Sequence, residues 1–358
     1  MRVLVLNPGS STLKASLVDG GRSVADELVE WPAGESDASG VVDGALAHLP
    51  SDVGAVGYRV VHGGTDYRAP SPVDDALLAR VEELDELAPL HNRRAAAVMR
   101  AGLAALPDLP HIACFDTAFH AGLPEEAWRY PIPDAWTDRL AIRRYGFHGL
   151  SVAWSVQRAS ELLGRPASEL RLVIAHLGSG CSVTAVDGGR SVATSMGYTP
   201  YEGLMMGTRS GSIDPGILVR LADDGLSTDE IADALAHASG MRAVAGTADL
   251  REIEARDDAG DERARLAIRM FARSAAAGIA AAMTALPMVD AVVFTGGIGE
   301  HSARVRAEVT RRLASAGIPL AGAAVHGDTV VIEGPPAVLV VESREDLVIA
   351  AAVADALS

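Results

Sequence analysis

The strongest constraint on the fold is a strand–turn–strand pattern that occurs twice in this sequence. Residues 3–18 and residues 172–186 each contain an apolar run, a Gly/Ser turn and a second apolar run. The turn glycines, Gly9 and Gly178, are 169 positions apart in a chain of 358 residues, so each unit opens one half of the chain. The pattern predicts a duplicated α/β architecture of two domains, although two hairpins can also resemble each other by chance.

Amphipathic segments fill the intervals between the strands. Apolar residues at helical spacing predict helices at 74–87, 92–106, 151–163, 229–238 and 261–286. Ser227 is the expected N-cap of the fourth helix, and Pro287 ends the fifth. Further buried strands are predicted at 289–295 and 338–341. This alternation of strands and helices favours α/β layers.

Composition and charge exclude several classes of protein. The net charge of −16, without a clustered run of Lys or Arg, argues against nucleic-acid binding. The two cysteines, Cys114 and Cys181, are too few for a disulfide framework or a cysteine-based zinc site, and we expect both to be buried thiols. The sequence shows no signal-peptide pattern and no stretch typical of a membrane span, so we expect a cytoplasmic protein without membrane contact.

Three glycine-rich turns follow apolar strands, at 7–11, 176–182 and 296–299. Backbone N–H groups in such turns can bind phosphate without side-chain charge. Each turn alone is a weak signal, but three in one chain favour a nucleotide-phosphate site. The chain lacks the Gly-x-x-x-x-Gly-Lys-Ser/Thr pattern of P-loop enzymes and the three-glycine dinucleotide fingerprint.

Two arginines lie between glycines, Arg59 in the segment 57–64 and Arg209 in the segment 206–212. A guanidinium group is well suited to bind a phosphoryl group or a carboxylate through two hydrogen bonds. A surface salt bridge is the alternative for either arginine taken alone.

Histidines and carboxylates complete the set of candidate polar residues. His91, His148 and His176 lie in Gly- or Pro-containing segments, and no pair of them has zinc-ligand spacing. Asp116 and Glu345 follow apolar strands. Carboxylates at strand ends are well placed to hold Mg²⁺, which takes one or two carboxylates together with substrate phosphates.

These motifs resemble the acetate and butyrate kinase family over nearly the whole chain. The residues that carry the resemblance are 6–14, 59–64, 115–120, 145–149, 194–200 and 202–211. The last two segments, Thr-Ser-Met-Gly-Tyr-Thr-Pro and Glu-Gly-Leu-Met-Met-Gly-Thr-Arg-Ser-Gly, are long enough to make a chance match negligible.

The resemblance implies the fold shared with actin, Hsp70 and sugar kinases, with two duplicated actin-like (ribonuclease H-like) domains and a nucleotide cleft between them. The expected domains are residues 1–118 with 346–358, and residues 119–345. The implied activity is Mg²⁺-dependent transfer of the γ-phosphoryl group of ATP to acetate, giving acetyl phosphate and ADP, with Mn²⁺ as an alternative metal. A homodimer is implied as well.

The resemblance also implies roles for individual residues. The catalytic group comprises Asp116, Arg59, Arg209, His148 and His91. The magnesium-side residues are Asn7 and Glu345, together with Asp116. The nucleotide side comprises Lys14, His176, Gly178, Ser179, Gly180, Asp249, Leu250, Arg251, Gly297, Ile298, Gly299, Glu300 and His301. The acetate site comprises Arg59 and an apolar pocket for the methyl group, formed by Val61, Leu90, Phe147 and Pro200.

Three departures from the family pattern lie on the nucleotide side. Ser179 and His301 stand where the family usually has asparagine, and Ser343-Arg344 replaces the usual Thr-Asn. A pyrophosphate-dependent acetate kinase therefore stays open as an alternative. Propionate or butyrate kinase stays open as the alternative for the acceptor. A non-catalytic nucleotide-binding module would be expected to lack the substrate-side residues that are present here, and a sugar kinase would need a base for a hydroxyl group and a roomier polar pocket.

Overall fold

In the computed structural model, which describes residues 1–9, 11–32, 37–88 and 91–358, the chain forms two compact units. The first unit comprises Met1–Ala121, Phe147–Trp154 and Arg344–Ser358. The second comprises Gly122–Gly146 and Ser155–Ser343.

Each unit contains one mixed sheet. The strands of the first unit are β1 (Val3–Pro8), β2 (Thr12–Asp19), β3 (Arg22–Glu30), β4 (Ala55–Val60), β5 (Ser71–Pro72) and β6 (His111–Phe115). Those of the second are β7 (Arg171–Leu177), β8 (Cys181–Asp187), β9 (Arg190–Thr194), β10 (Ala291–Thr295), β11 (Thr329–Ile332) and β12 (Ala337–Val340).

The two sheets have the same topology. The strand order is β3-β2-β1-β4-β6-β5 in the first and β9-β8-β7-β10-β12-β11 in the second. In each, an antiparallel meander of three strands leads into three parallel strands, and the last strand is antiparallel. The predicted duplication of an α/β architecture is therefore confirmed.

Helices form in all five predicted segments, and further helices form that were not predicted. They are α1 (Ser39–His48), α2 (Asp75–Glu83), α3 (Asn92–Ala105), α4 (Glu125–Trp128), α5 (Asp134–Leu140), α6 (Gly149–Leu163), α7 (Pro215–Asp223), α8 (Thr228–Asp233), α9 (Gly240–Ala245), α10 (Leu250–Asp258), α11 (Glu262–Met283), α12 (Gly296–His301), α13 (Ala303–Arg312) and α14 (Glu345–Ala356). Ser227 caps α8 as predicted, since its hydroxyl accepts from the Glu230 N–H while the Glu230 carboxylate accepts from the Ser227 N–H.

The predicted boundaries differ from the observed ones mainly at helix ends. The segment predicted at 74–87 begins with Asp74 as N-cap and finishes as a 3₁₀ turn at Leu84–Glu86. The segment predicted at 229–238 changes from α8 into a π-helical turn at Ala234–Ala238. Helix ends depend on local hydrogen bonds that periodicity does not report.

The prediction that the third glycine-rich segment forms a turn is wrong, because Gly296–His301 forms the short helix α12 directly after β10. Gly296 has φ +76°, and a Cβ there would lie 2.8 Å from the Leu177 carbonyl oxygen. Glycine at this position therefore lets the chain turn from β10 into α12 while its backbone contacts the end of β7.

The parallel strands of the first sheet are covered on both faces. On one face Leu4, Val60 and Phe115 belong to a core cluster with residues of α1, α2 and α3. On the other face Val5 and Cys114 pack with residues of α14. Strands buried on both faces favour continuous apolar sequence, and β6 is buried along its whole length and apolar from Ile112 to Phe115.

Both cysteines are buried and free, as expected. Cys114 lies in β6 and Cys181 in β8. Burial raises the pKa of each thiol to about 12, so both stay protonated at neutral pH.

Helix α11 is long and apolar enough to cross a membrane when judged by length and composition alone. Its residues Ala267, Phe271 and Ile279 are fully buried. The helix packs against β7, β8 and neighbouring helices of its own unit, which is the environment of a core helix.

A buried histidine gives the fold a specific acid sensitivity. His120 is fully buried in a 3₁₀ turn after β6, and its Nε2–H donates to the Phe147 carbonyl at 3.0 Å. Burial lowers the pKa of His120 from 6.5 to about 4, although the hydrogen bond to Phe147 opposes this. As the pH falls below 6.5, the His120 imidazole takes up a proton in the unfolded chain but stays neutral in the folded one. The stability that His120 contributes above pH 6.5 is therefore lost as the pH falls towards 4.

We expect the free energy of unfolding to fall with acidification over this range, with a contribution from His120 of about 1.4 kcal/mol per pH unit at most. Urea titrations of the His120→Gln variant should show a shallower dependence on pH between 6.5 and 4. The control is His48→Gln, because the His48 side chain is 67% exposed. This variant should keep the wild-type dependence of the unfolding free energy on pH. Equal slopes in wild type and His120→Gln would contradict the assignment.

Candidate active site

The first unit brings four predicted residues together at one edge of its sheet. Asn7 lies in β1, Arg59 in β4, and Asp116 directly follows β6. Since these three strands are parallel neighbours, their carboxyl ends meet at the same edge. Glu345 arrives from the far end of the sequence as the first residue of α14, which packs on β1 and β4.

Arg59 links this cluster. Its Nη2 lies 2.6 Å from Asp116 Oδ2, its Nε lies 3.4 Å from Glu345 Oε2, and its Nη1 donates to Asn7 Oδ1 at 3.3 Å. Asn7 Nδ2 in turn donates to Glu345 Oε2 at 2.9 Å. The carboxylates of Asp116 and Glu345 thus share a single guanidinium group.

The charge states follow from burial and from these pairs. Burial raises the pKa of Asp116 to about 6, while the Arg59 charge opposes the rise and the Glu345 charge adds to it. Burial lowers the pKa of Arg59, but the two carboxylates outweigh that effect and the net shift is upward. At neutral pH the cluster therefore holds one cation and an ionised Asp116.

The residues fit a magnesium ion by donor chemistry. Asn7, Asp116 and Glu345 offer only oxygen donors in one cluster, which are the ligands that Mg²⁺ prefers, and two carboxylates match its usual requirement. No group of three His, Cys, Asp or Glu side chains with metal-ligand geometry occurs among the described residues. The donor set therefore suits an ion that retains several waters or phosphate oxygens, as Mg²⁺ does.

His148 is tied to Asp116 through its backbone. The His148 N–H donates to the Asp116 carboxylate, and the Gly149 N–H donates to the Asp116 carbonyl at 3.0 Å. His148 adopts φ +57°, a left-handed conformation unusual for a residue with a side chain. A strained residue held by a buried carboxylate is typical of functional sites.

The other predicted residues of the first unit lie on neighbouring segments. Val61 and Phe147 are buried, the latter with its ring 5.4 Å from that of His62. His91 immediately precedes α3, and Lys14 pairs with Asn7 across β1 and β2. Leu90 falls outside the described residues.

The second unit brings together the predicted phosphate-binding segments. Strands β7 and β10 are parallel neighbours in which His176 pairs with Thr295, so the turn after β7 and the start of α12 lie side by side. The turn is closed by the Gly178 N–H, which donates to the Gly180 carbonyl at 3.0 Å. A Cβ on Gly178 would lie 4.0 Å from the Gly297 nitrogen. His176 itself belongs to β7 rather than to the turn.

The segment predicted for the adenosine adjoins this turn. Asp249 caps α10, whose first residues are Leu250 and Arg251. Hydrogen bonds from Arg251 lower the pKa of Asp249 to about 2. A Cβ on Gly207 would lie 3.4 Å from Ala248 Cβ, and the Gly207 N–H donates to the Ser179 carbonyl at 3.4 Å.

Helix α12 carries the remaining nucleotide-side residues. Gly297, Ile298 and Gly299 form its first turns, and its last residue, His301, is exposed. Burial raises the pKa of Glu300, which accepts from the Ser343 N–H at 3.0 Å. The structure thus places every predicted nucleotide-side residue except Lys14 in the second unit.

Arg209 is a buried cation without a carboxylate partner among the described residues. Its side chain donates to the Pro200 carbonyl at 3.0 Å and lies 3.6 Å from Met206 Sδ, while its Nε has no hydrogen-bond partner in the part of the chain that the structure describes. Burial lowers the pKa of Arg209, and the groups that oppose the shift are Cys181 and Tyr201. An unpaired buried charge is costly, and a bound anion would offset that cost.

Arg306 shows the contrast. It is fully buried, and it donates to the carbonyls of Gly299, Glu300 and Ala323 at 2.7 to 2.8 Å. Three carbonyl acceptors satisfy most of this guanidinium, and they fix the carboxyl end of α12. Arg209 has one such acceptor among the described residues.

Several residues of the site were not found from the sequence. Arg306 was missed because its acceptors are backbone carbonyls, which leave no motif. Tyr130, Arg144 and Glu202 form a polar cluster beside the Pro200 and Arg209 segment. Glu202 lies in a recognised segment, but nothing in the sequence indicates its partners.

Comparison with known proteins agrees with this geometry. A sequence model of the acetokinase family matches residues 36–351. An acetate kinase of Deinococcus radiodurans is 45% identical, with 98% of this chain and 96% of that protein covered.

Solved structures agree in fold. The crystal structure of Porphyromonas gingivalis acetate kinase has a TM-score of 0.86 at 32% identity and is covered completely, as is this chain. A propionate kinase from Francisella tularensis also gives 0.86 at 32% identity, with 98% of each chain covered. The predicted fold class is confirmed, and the chain belongs to the acetokinase family.

Proposed function

We propose that this protein transfers the γ-phosphoryl group of ATP to acetate, giving acetyl phosphate and ADP. The observation that carries the proposal is the buried guanidinium of Arg209, which has no carboxylate partner among the described residues and whose segment contacts the Ser179 turn. The names of the relatives, acetate kinase in most cases and propionate kinase in one, supply the acceptor class.

The reaction needs no catalytic base. A carboxylic acid with a pKa of about 4 to 5 is already ionised at neutral pH. The difficulty is that an anion must approach a polyanion, so the protein has to neutralise charge as the phosphoryl group passes in line between two oxygens. Phosphoryl transfer depends mostly on positioning and electrostatic stabilisation.

The predicted residue roles match these needs. Arg59 and Arg209 act on the transferring phosphoryl group and the carboxylate, and His148 donates to the transition state, with His91 nearby. Asn7, Asp116 and Glu345 would hold Mg²⁺ or Mn²⁺, which when bound would neutralise phosphate charge. The turn at 178–180 and helix α12 bind the nucleotide phosphates through backbone N–H groups, and Lys14 and His176 are the further residues assigned to the nucleotide. Asp249–Arg251 and Gly297–His301 form the adenosine pocket.

The small size of the apolar pocket selects the acceptor. The residues that the resemblance assigns to the acetate methyl group are Val61, Leu90, Phe147 and Pro200. In a small apolar pocket each additional methylene changes discrimination by about 1–3 kcal/mol. Propionate should therefore be a poorer substrate. A propionate or butyrate kinase is the second candidate, favoured by the likeness to the Francisella propionate kinase.

The cytoplasmic location and the domain boundaries at 118/119 and 345/346 remain predictions. The identity of the phosphoryl donor depends on Ser179 and His301, where the usual asparagines are absent. Pyrophosphate is the alternative donor.

An acyl-phosphate assay tests activity, acceptor and donor together. The purified protein is incubated with Mg²⁺, either ATP or pyrophosphate, and acetate, propionate or butyrate, with hydroxylamine to trap the product as hydroxamate. We expect product with ATP and acetate, less with propionate, and none with pyrophosphate.

Two variants make the assay specific. Arg209→Ala should lower kcat by about 10²–10³, the effect of losing one transition-state donor. The matched control, Arg311→Ala on the exposed face of α13, should retain activity. Product only with pyrophosphate would change the donor, a preference for butyrate would change the acceptor, and no product with any acid would reject the proposal.

We also propose a homodimer that covers α7. No residue of α7 or α8 is buried, and the apolar residues Ile217 and Val219 are 49% and 62% exposed. A helix that exposes apolar side chains on more than one side is typical of an interface.

Light scattering should therefore give about twice the mass of the 37.1 kDa chain. The double variant Ile217→Asp/Val219→Asp should be monomeric, whereas Val24→Asp, at an exposed apolar position on β3, should not change the mass. A wild-type protein with the mass of one chain would contradict the proposal.

A further inference from the structure

Three polar side chains meet beside the segment that carries Arg209. An Arg144 nitrogen lies 2.7 Å from Glu202 Oε1, and the Tyr130 hydroxyl donates to Glu202 Oε2. Burial raises the pKa of Tyr130, so its hydroxyl stays protonated and donates. The Arg144 guanidinium also lies 5.1 Å from the centre of the Tyr130 ring. We call these three residues the polar clamp.

The polar clamp holds a segment that has no regular structure of its own. Residues 195–214, between β9 and α7, form neither helix nor strand. Arg144 Nη1 donates to the Ser195 carbonyl at 3.1 Å, and the Tyr198 N–H donates to the Tyr130 hydroxyl oxygen at 3.0 Å. Side-chain contacts thus replace the hydrogen-bond ladder that would otherwise fix this backbone.

Gly197 shows that the segment is built around the polar clamp. A Cβ at this position would overlap a Glu202 carboxylate oxygen and the Tyr130 hydroxyl oxygen. Its φ is not in the left-handed region, so the requirement for glycine comes from the close approach of these two side chains and not from backbone conformation.

The segment supplies the one carbonyl that accepts from the Arg209 side chain among the residues that the structure describes. Pro200, two residues before Glu202, accepts from Arg209 Nη1 at 3.0 Å. The Met206 N–H donates to the Arg209 carbonyl at 3.0 Å, which closes the segment on itself. A shift of Glu202 would therefore move the Pro200 carbonyl, and with it the guanidinium of Arg209.

We propose that Glu202 is a positioning residue, which with Tyr130 and Arg144 fixes the Pro200 carbonyl and through it the Arg209 guanidinium. The inference rests on the proposed function, in which Arg209 receives the substrate anion. Glu202 is not a catalytic residue, because its carboxylate is occupied by Tyr130 and Arg144 and acts only through the backbone that it holds.

A positioning role and a purely structural role predict different effects. The side chains of Arg144 and Glu202 are 19% and 33% exposed, and ion pairs at such exposure contribute little to stability. Misplacing a reacting or stabilising group by about 1 Å, in contrast, can cost about 10²-fold in rate. Loss of the polar clamp should therefore lower kcat while the melting temperature changes little.

A double-mutant cycle tests the coupling to Arg209. We expect Glu202→Ala to lower kcat for acetyl phosphate formation by about 10- to 100-fold, with the KM for ATP unchanged. Glu202→Gln should retain more activity, since its amide oxygen still accepts one hydrogen bond. In the Arg209→Ala background, Glu202→Ala should have no further effect, because the group that it positions is gone.

The matched control is the Arg312–Glu308 pair of α13. Its side chains have similar exposure, 29% and 23%, and its contacts lie within α13. Glu308→Ala should leave kcat unchanged. Wild-type kcat in Glu202→Ala, or equal fold losses in the wild-type and Arg209→Ala backgrounds, would overturn the proposal. If Glu202→Ala fails to fold, Tyr130→Phe, which removes one hydrogen bond from the same carboxylate, replaces it in the cycle.

A readout without turnover separates this proposal from the proposed function. Phenylglyoxal modifies accessible guanidinium groups, and peptide mass spectrometry reports the rate at Arg209, which is 8% exposed. We expect Arg209 to be modified several-fold faster in Glu202→Ala than in wild type, with no change in Glu308→Ala. Equal rates would reject the positioning role even in an active enzyme. If no acid is phosphorylated, the function fails while the labelling rates still decide the role of Glu202.

Discussion

The pairing of parallel strands at the centre of each sheet is the constraint on which the rest of the structure depends. In the first unit β1, β4 and β6 end at one edge, and in the second β7, β10 and β12 do the same. Register fixes which side chains and turns emerge there, because a slip of one residue would send them to the other face. The duplicated topology therefore produces two edges with polar groups, one rich in carboxylates and one rich in glycine.

The two arginines at these sites are in opposite electrostatic states. Arg59 is paired with two carboxylates, Asp116 and Glu345, so carboxylates outnumber cations in that cluster. Arg209 is buried, and among the described residues its guanidinium contacts one carbonyl and one thioether as acceptors. Burying an unpaired cation costs stability, and a fold keeps such a group where binding of an anion offsets the cost.

Much of the fold was predictable because it depends on local patterns. The strand–turn–strand repeat, the apolar run before Asp116 and the cap at Ser227 are all readable from neighbouring residues. The contact between Glu345 and Asn7 joins positions that are 338 residues apart. It could be predicted only from the resemblance to a family. Helix α12 was expected as a turn, since four residues with three glycines give no helical signal.

The clustering of Tyr130, Arg144 and Glu202 could not have been predicted, because it arises from tertiary packing around Gly197. The contacts of Arg306 could not be predicted either, since its partners are backbone carbonyls, which leave no motif in the sequence. The roles of the individual site residues remain predictions, and the geometry shows only which of them lie together within each unit.

The unpaired charge of Arg209 is the most direct point at which to test the account. The measurement is denaturant unfolding of wild type and Arg209→Met, with and without acetyl phosphate. If the guanidinium is held in readiness for an anion, Arg209→Met should be at least as stable as wild type without ligand, and acetyl phosphate should stabilise only the wild type. Equal stabilisation of both proteins by acetyl phosphate would show that the anion binds elsewhere and would contradict the account.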